Sequence, residues 1–123
     1  MSIRAVLFDL DNTLTHRGRS VAAFSQDLAD TYQSQLNCVD VEQIESIVNR
    51  IDNGGYPLKE YLTHPSIGAS VAYALLQELN WQAPPHLEAL SNFWFAQFGR
   101  SAVAMPEAEQ TLIRLKQAGY KLA

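Results

Sequence analysis

The chain has too few cysteines for an internal disulfide and no apolar run long enough to span a membrane. Its 123 residues include one cysteine, Cys38, which excludes an internal disulfide and suits a reducing compartment. We expect Cys38 to be a small buried or half-buried apolar residue rather than a catalytic one. No apolar stretch reaches the roughly 20 residues that span a membrane, and Met1 to Arg4 leads into a predicted strand rather than a signal peptide. The sequence therefore predicts a cytoplasmic protein without a membrane partner.

Basic charge is also scarce. Lys and Arg number 9 against 13 Asp and Glu, so the net charge is −4. Proteins that bind nucleic acid usually carry an excess of Lys and Arg on one face, and this composition indicates no nucleic-acid partner. With 47% hydrophobic residues, the chain has the composition of one globular unit.

The most informative segment is an apolar run that ends in two carboxylates. Residues 3–8 are almost continuously apolar, which is typical of a parallel strand buried on both faces. Asp9 and Asp11 follow at its carboxyl end, where open α/β sheets bind their ligands. Two carboxylates this close repel each other unless a cation lies between them, and Mg²⁺ prefers such oxygen ligands. The alternative is that both acids only form a turn after an edge strand.

The segment Asp9-Leu10-Asp11-Asn12-Thr13-Leu14 resembles the first motif of the haloacid dehalogenase-like superfamily, most of whose members are Mg²⁺-dependent phosphatases. The resemblance implies an α/β fold in which the first strand belongs to a Rossmann-like parallel sheet. It implies that Asp9 is the nucleophile and a metal ligand, forming an aspartyl-phosphate. Asp11 would be the general acid/base and would also bind Mg²⁺ through its backbone carbonyl. Asn12 and Thr13 would shape the phosphate-binding turn.

Asp11 also discriminates within the resembling family. Dehalogenase members carry an aromatic residue at this position, and phosphonate-cleaving members carry a small one. An acid favours phosphate esters, because an alkoxide leaving group needs a proton. Sugar phosphomutases keep this acid, but the following region has no segment similar to their Arg-Gly-x-Ser-Arg. We therefore expect a phosphatase that acts on a small phosphorylated metabolite.

Helical patterns fill most of the remaining sequence. Ser20 is placed to cap a helix that runs to about Leu36, and Asp40 to begin a second helix with Gln43 in a capping box. The second helix should stop at Asn53-Gly54-Gly55. The later starts and breaks are Pro57, which opens a short turn to about Leu62, Pro65-Ser66, which starts a third helix, and Pro84-Pro85, which precedes a fourth over residues 86–98.

These patterns predict three parts of the chain. Residues 1–16 would hold the first strand and the catalytic loop, residues 17–100 a bundle of four or five helices, and residues 101–123 a helix ending at Gly119 and a second strand. In the resembling family an inserted helical cap closes over the active site from this position. Substrate contacts from it would include Arg17, Arg19, Tyr56 and Lys59; the alternative for each is an exposed or packing side chain without a role in binding.

The family also has a phosphate-binding Ser or Thr, a Lys and further acids after the second strand, and the sequence ends before them. We therefore expect an incomplete core domain, the amino-terminal half of a capped member, with little activity alone. A homodimer or a domain swap would cover the exposed edge of the first strand. The alternative from another class is a non-catalytic helical binding module that keeps the motif as ancestry.

Overall fold

The positions of the helices decide what surrounds the acidic loop. The structure is a computed structural model, and it describes residues 2–123. The elements in chain order are β1 (Ala5–Val6), α1 (Arg17–Thr31), α2 (Val41–Asp52), α3 (Ile67–Glu78), α4 (Leu87–Gln97), α5 (Ala108–Gln117) and β2 (Lys121–Leu122), with 3₁₀ turns at Gln33–Gln35, Asn53–Gly55 and Lys59–Tyr61. None of the helices in this described part is both long enough and apolar enough to cross a bilayer.

The predicted starts of α2 and α3 are confirmed by their caps. The Asp40 carboxylate accepts the Gln43 amide N–H at 3.1 Å, and the Ser66 hydroxyl oxygen accepts the Ala69 amide N–H at 3.1 Å. Helix α2 stops at Asn53, which adopts a left-handed conformation with φ of 46°. The prediction of a capping box at this start is wrong, because the Gln43 side-chain amide donates to the carbonyl oxygen of Glu78. That carbonyl is left without a helical partner at the end of α3, so it competes for the amide.

Helix α1 does not have the predicted ends. It begins at Arg17, and the His16 Nδ1 atom accepts the Arg19 amide N–H at 3.1 Å. Ser20 is buried in the first turn, where its hydroxyl donates to the His16 carbonyl oxygen and accepts the Val103 amide N–H. The helix ends at Thr31 rather than near Leu36, because Leu36 is extended and forms an antiparallel bridge with Trp81.

The hydrophobic core belongs to the first four helices. Every buried hydrophobic residue of the described chain lies between Val21 and Trp94. Phe24 of α1 is its centre, with ring centroids 5.6 Å from Phe93, 5.0 Å from Trp94 and 5.8 Å from Phe98. Helices α1 to α4 therefore form a bundle with its own packed interior, whereas α5 buries none of its described side chains fully.

The sheet consists of two short parallel strands. Ala5 pairs with Lys121 and Val6 with Leu122. Within residues 2–123 only β2 pairs with β1, and the side chains of Ile3 and Leu7 are 74% and 80% exposed. The prediction of a strand buried on both faces over residues 3–8 is therefore wrong for this structure, because no described layer covers those side chains. The resulting fold is mostly helical with one parallel strand pair, as expected for this α/β class.

Two chain segments connect the bundle to the strands, and we call them together the neck: residues 14–16 and 103–105. Thr15 and Ala104 form an antiparallel bridge. The His16 amide donates to the Val103 carbonyl oxygen and the Met105 amide to the Leu14 carbonyl oxygen, both at 2.7 Å. The predicted boundaries after residues 16 and 100 fall close to this neck.

Cys38 differs from its prediction. It lies exposed in the loop that joins the Gln33–Gln35 turn to α2. The expectation of a buried or half-buried position is therefore wrong. Its neighbours in this loop, from Asn37 to Asp40, are exposed as well, so the whole segment runs over the surface of the bundle.

Candidate active site

The acidic loop wraps around one carbonyl group at the carboxyl end of β1. The Leu10 carbonyl oxygen accepts amide N–H groups from Thr13 at 3.3 Å, Leu14 at 3.0 Å and Thr15 at 3.0 Å. Asn12 has φ of 57°, a left-handed conformation that Asn tolerates better than most residues, and its side-chain oxygen accepts the Arg17 amide N–H at 3.2 Å. This turn leaves Asp9 and Asp11 exposed on the same short loop.

Asp9 has the freer carboxylate of the two. Its Oδ2 atom accepts a long hydrogen bond from the Thr13 hydroxyl at 3.4 Å. Among the ion pairs of the described residues, none includes Asp9. A carboxylate that is exposed and weakly held is available to a metal ion or to an electrophilic phosphorus atom.

Asp11 is bound by Arg17, which also binds a second carboxylate. The Nη1 atom of Arg17 donates to Oδ2 of Asp11 at 2.7 Å, while Nε and Nη2 donate to the two carboxylate oxygens of Asp52 at 3.0 Å and 2.5 Å. The Asp52 side chain is 0% exposed, that of Arg17 11% and that of Asp11 54%. The hydrogen bonds that Arg17 donates to Asp52 are the main reason why the pKa of Arg17 is raised, so its guanidinium stays charged.

Two further groups enclose the Arg17 guanidinium. Its Cζ atom lies 4.9 Å from the centroid of the Phe98 ring, which is within the range of a cation–π contact. Gly55 packs on another side, where an added Cβ would lie 3.4 Å from the Cζ atom, and the Gly55 amide N–H donates to Asp52 at 3.1 Å. The start of α1 and the ends of α2 and α4 therefore meet around this one side chain.

A cavity of about 340 Å³ opens beside Asp11. Its lining consists of Leu10, Asp11, Thr15, Arg17, Ser20, Phe98, Gly99 and Ala102. The volume is at the lower end of the range for small-molecule sites. Most of these side chains are apolar or small, and the only cation among them is already paired with two carboxylates. The cavity therefore presents a largely uncharged wall next to an acid.

The structure places the predicted substrate contacts in different surroundings. Arg17 lies in the site, whereas Arg19, Tyr56 and Lys59 are exposed, Tyr56 to 79%. Their roles in binding stay predictions.

Asp52 has a place in the site that the sequence reasoning missed. The available signal was its spacing of four residues from Val48, which puts a carboxylate on the apolar face of α2. A charge on a buried helix face usually has a charged partner.

The oxygen donors at the loop suit Mg²⁺. Asp9 offers a hard carboxylate oxygen, Asp11 offers a backbone carbonyl oxygen, and residues 9–15 contain no Cys or His. Within residues 2–123, no group of three or more His, Cys, Asp and Glu side chains is close enough to hold a metal. Mg²⁺ is commonly held by one or two carboxylates, with water and substrate phosphate as the other ligands, so the pair fits this ion.

Two comparisons with known proteins bear on the identity of the chain. A search of curated proteins found no match. A family model for haloacid dehalogenase-like hydrolases matches residues 3–123, a span that includes β1, the acidic loop, the helices and β2. A match over nearly the whole chain shows the family. The chain belongs to the haloacid dehalogenase-like hydrolases.

Proposed function

We propose that this hydrolase cleaves phosphate monoesters of small metabolites through an aspartyl-phosphate on Asp9. The observation that carries the proposal is that the two acids of one loop have different hydrogen-bond partners. Asp9 is exposed, and among the hydrogen bonds of the described residues its side chain accepts one from a neutral hydroxyl, whereas Asp11 is held by a cation. Two carboxylates with different partners are suited to two different tasks, nucleophile and acid/base.

The reaction has two steps. In the first, an Asp9 carboxylate oxygen forms a bond to phosphorus, the ester P–O bond breaks, and Asp11 gives its proton to the leaving alkoxide. In the second, Asp11 takes a proton from water as the water oxygen attacks phosphorus, which breaks the bond to Asp9 and releases inorganic phosphate. Asp9 and Asp11 would hold Mg²⁺, which would supply positive charge to offset that of the phosphate. Thr13, whose hydroxyl reaches Asp9, would limit the directions in which the nucleophile points.

The lining of the cavity supports a proposal on the leaving group. Its walls include Leu10, Phe98 and Ala102, and Arg17 already donates hydrogen bonds to two carboxyl groups. The proposal therefore favours esters of small alcohols without a carboxylate of their own. A cytoplasmic location is part of the proposal, supported by the single cysteine and by the metabolite substrate.

We expect the 123-residue chain to turn over slowly. Phosphoryl transfer depends on positive charge around the transferred group, and in the described part of the chain no Lys or Arg pairs with Asp9. The residual rate should still depend on Mg²⁺ and on both acids of the loop.

The test is phosphate release from p-nitrophenyl phosphate by concentrated protein, with and without Mg²⁺. Asp9→Asn should abolish the Mg²⁺-dependent rate. Asp30→Asn is the matched control, because Asp30 is an exposed acid of α1 that contacts Gln26 rather than the loop. Its rate should equal that of the unchanged protein. A rate that survives in Asp9→Asn, or that is lost equally in Asp30→Asn, would refute the role of Asp9.

A further inference from the structure

Arg17 connects an acid of the catalytic loop to a buried acid of the helical bundle. We propose that Arg17 is a positioning residue: Asp52 fixes its guanidinium, and the guanidinium holds one oxygen of Asp11, so that the bundle sets the orientation of the acid/base. This inference rests on the proposed function in one respect, the role of Asp11 as the acid/base. Arg17 acts in this proposal through Asp11 and does not contact the substrate directly.

The contact on the bundle side is the fixed one. Asp52 has no exposed surface, and both of its oxygens receive hydrogen bonds from Arg17, with a third bond from the Gly55 amide. A paired and fully hydrogen-bonded charge is tolerated in a protein interior, whereas an unpaired one is strongly unfavourable. Arg17 therefore does not leave Asp52 at low cost, and Phe98 further restricts the guanidinium from one face.

The contact on the loop side is the adjustable one. Asp11 is half exposed, and among its described hydrogen bonds only Oδ2 is engaged, by Nη1 of Arg17. A charge-assisted bond of 2.7 Å restricts the rotation of this carboxylate and leaves Oδ1 free to face a substrate. The fork of Arg17 thus transmits the position of α2 to an atom of the loop, because it joins Asp52, 35 residues away from Arg17 in the chain, to Asp11, which is 6 residues away.

The effect of losing the Arg17 fork should depend on the leaving group of the ester. An alkyl phosphate releases a basic alkoxide, which needs the proton of a well-placed acid, whereas a nitrophenolate leaves without one. Loss of the Arg17 fork should therefore slow alkyl esters far more than p-nitrophenyl phosphate. If Arg17 instead bound the substrate directly, its loss would raise KM for both esters equally.

The experiment compares four forms of the full chain: unchanged, Arg17→Lys, Asp52→Asn and Arg50→Lys. Arg17→Lys keeps the charge beside Asp52 but loses the planar fork, so it stays informative even where Asp52→Asn unfolds. Arg50→Lys is the matched control, since Arg50 forms a similar two-pronged pair with Glu78 but at an exposed position on α2.

The first readout needs no activity. In labelled protein without Mg²⁺, the carboxyl carbon and amide signals of Asp11 should shift or broaden in Arg17→Lys and Asp52→Asn and stay unchanged in Arg50→Lys. Unchanged Asp11 signals in both site variants would overturn the inference. The Asp52→Asn result is the more specific one, because Asp52 itself does not touch Asp11.

The second readout is the ratio of kcat for p-nitrophenyl phosphate to kcat for an alkyl phosphate. It should rise by about tenfold or more in Arg17→Lys, with KM nearly constant, since a positioned acid commonly contributes that much. An unchanged ratio, or a rise in KM alone, would overturn the positioning role. If the unchanged protein hydrolyses neither ester, the proposed function fails, and the Asp11 signals alone decide whether Arg17 positions this carboxylate.

Discussion

Gly68 allows helices α3 and α4 to approach each other, and replacing it with alanine tests the packing of the bundle. An added Cβ would lie 2.5 Å from Cδ1, 2.9 Å from Cγ and 3.2 Å from Nε1 of Trp94. Trp94 has no free direction in which to move, because it is 7% exposed and its ring stacks on Phe98 with centroids 4.4 Å apart. The substitution therefore forces either the indole or the backbone of α3 to shift.

Two effects of opposite sign set the magnitude. Alanine is favoured over glycine in a helix by up to about 1 kcal/mol. Overpacking of a core typically destabilises by about 1–3 kcal/mol, and three simultaneous contacts with a rigid ring place Gly68→Ala at or beyond the upper end. We expect the free energy of unfolding to fall by about 2 kcal/mol. For a chain of this size, that corresponds to a decrease in Tm of about 8 °C.

Urea unfolding, followed by far-ultraviolet circular dichroism and by Trp fluorescence, measures this change. The matched control is Gly18→Ala, because Gly18 is the second residue of α1 as Gly68 is of α3. A Cβ there would lie 3.3 Å from Cε1 of His16, a much less severe contact than that with Trp94 and made with a half-buried side chain. We expect its stability to change by less than about 0.5 kcal/mol. The reasoning would be refuted if Gly68→Ala were as stable as the unchanged protein, or if Gly18→Ala were destabilised by the same amount.

Three further predictions concern a cap, a core side chain and a phenol. Ser66→Ala removes the cap of α3 and should lower the free energy of unfolding by about 1 kcal/mol in urea titrations; no loss would contradict the capping role. Leu90→Ala removes a side chain that is 2% exposed and should cost about 2–5 kcal/mol by the same assay, and a cost under about 1 kcal/mol would contradict its core position. Burial raises the pKa of Tyr32 above its ordinary 10.0, so the stability from its neutral form is complete below about pH 10 and is lost as the pH rises through the folded value. Tyr32→Phe should therefore reduce the loss of stability between about pH 9 and pH 11, and equal slopes for the two proteins would refute this.

Local chemistry explains which parts of the fold the sequence predicts. The Asp40 cap, the Ser66 cap and the stop at Asn53 depend on groups within three residues of each other, so their residue types suffice. The start of α1 depends on contacts between residues that are far apart in the sequence. Ser20 has the residue type of a cap, but its hydroxyl accepts a bond from the Val103 amide, 83 residues away in the chain. His16 takes the capping position in its place.

The candidate site also has a part that the sequence predicts and a part that depends on distant contacts. Asp9, Asp11 and Thr13 belong to one contiguous motif, so the sequence predicts that they lie together. Arg17 is predicted as a nearby cation, but the carboxylate that anchors it comes from the end of another helix. No local pattern states that α2 packs its last turn against the first turn of α1, because that arrangement depends on how the whole bundle fills its core.

The neck has a consequence for how such a chain varies. The bundle leaves the strands at His16 and returns at Val103, and these two residues share a hydrogen bond of 2.7 Å. An insertion whose ends already touch adds little strain at its attachment points, and the entropy of closing a loop grows only slowly with its length. The helices are therefore an exchangeable module: a longer, shorter or differently folded insertion at the same two positions would keep the acidic loop at the end of β1, and only the side-chain orientation that Arg17 gives to Asp11 would change with the insertion.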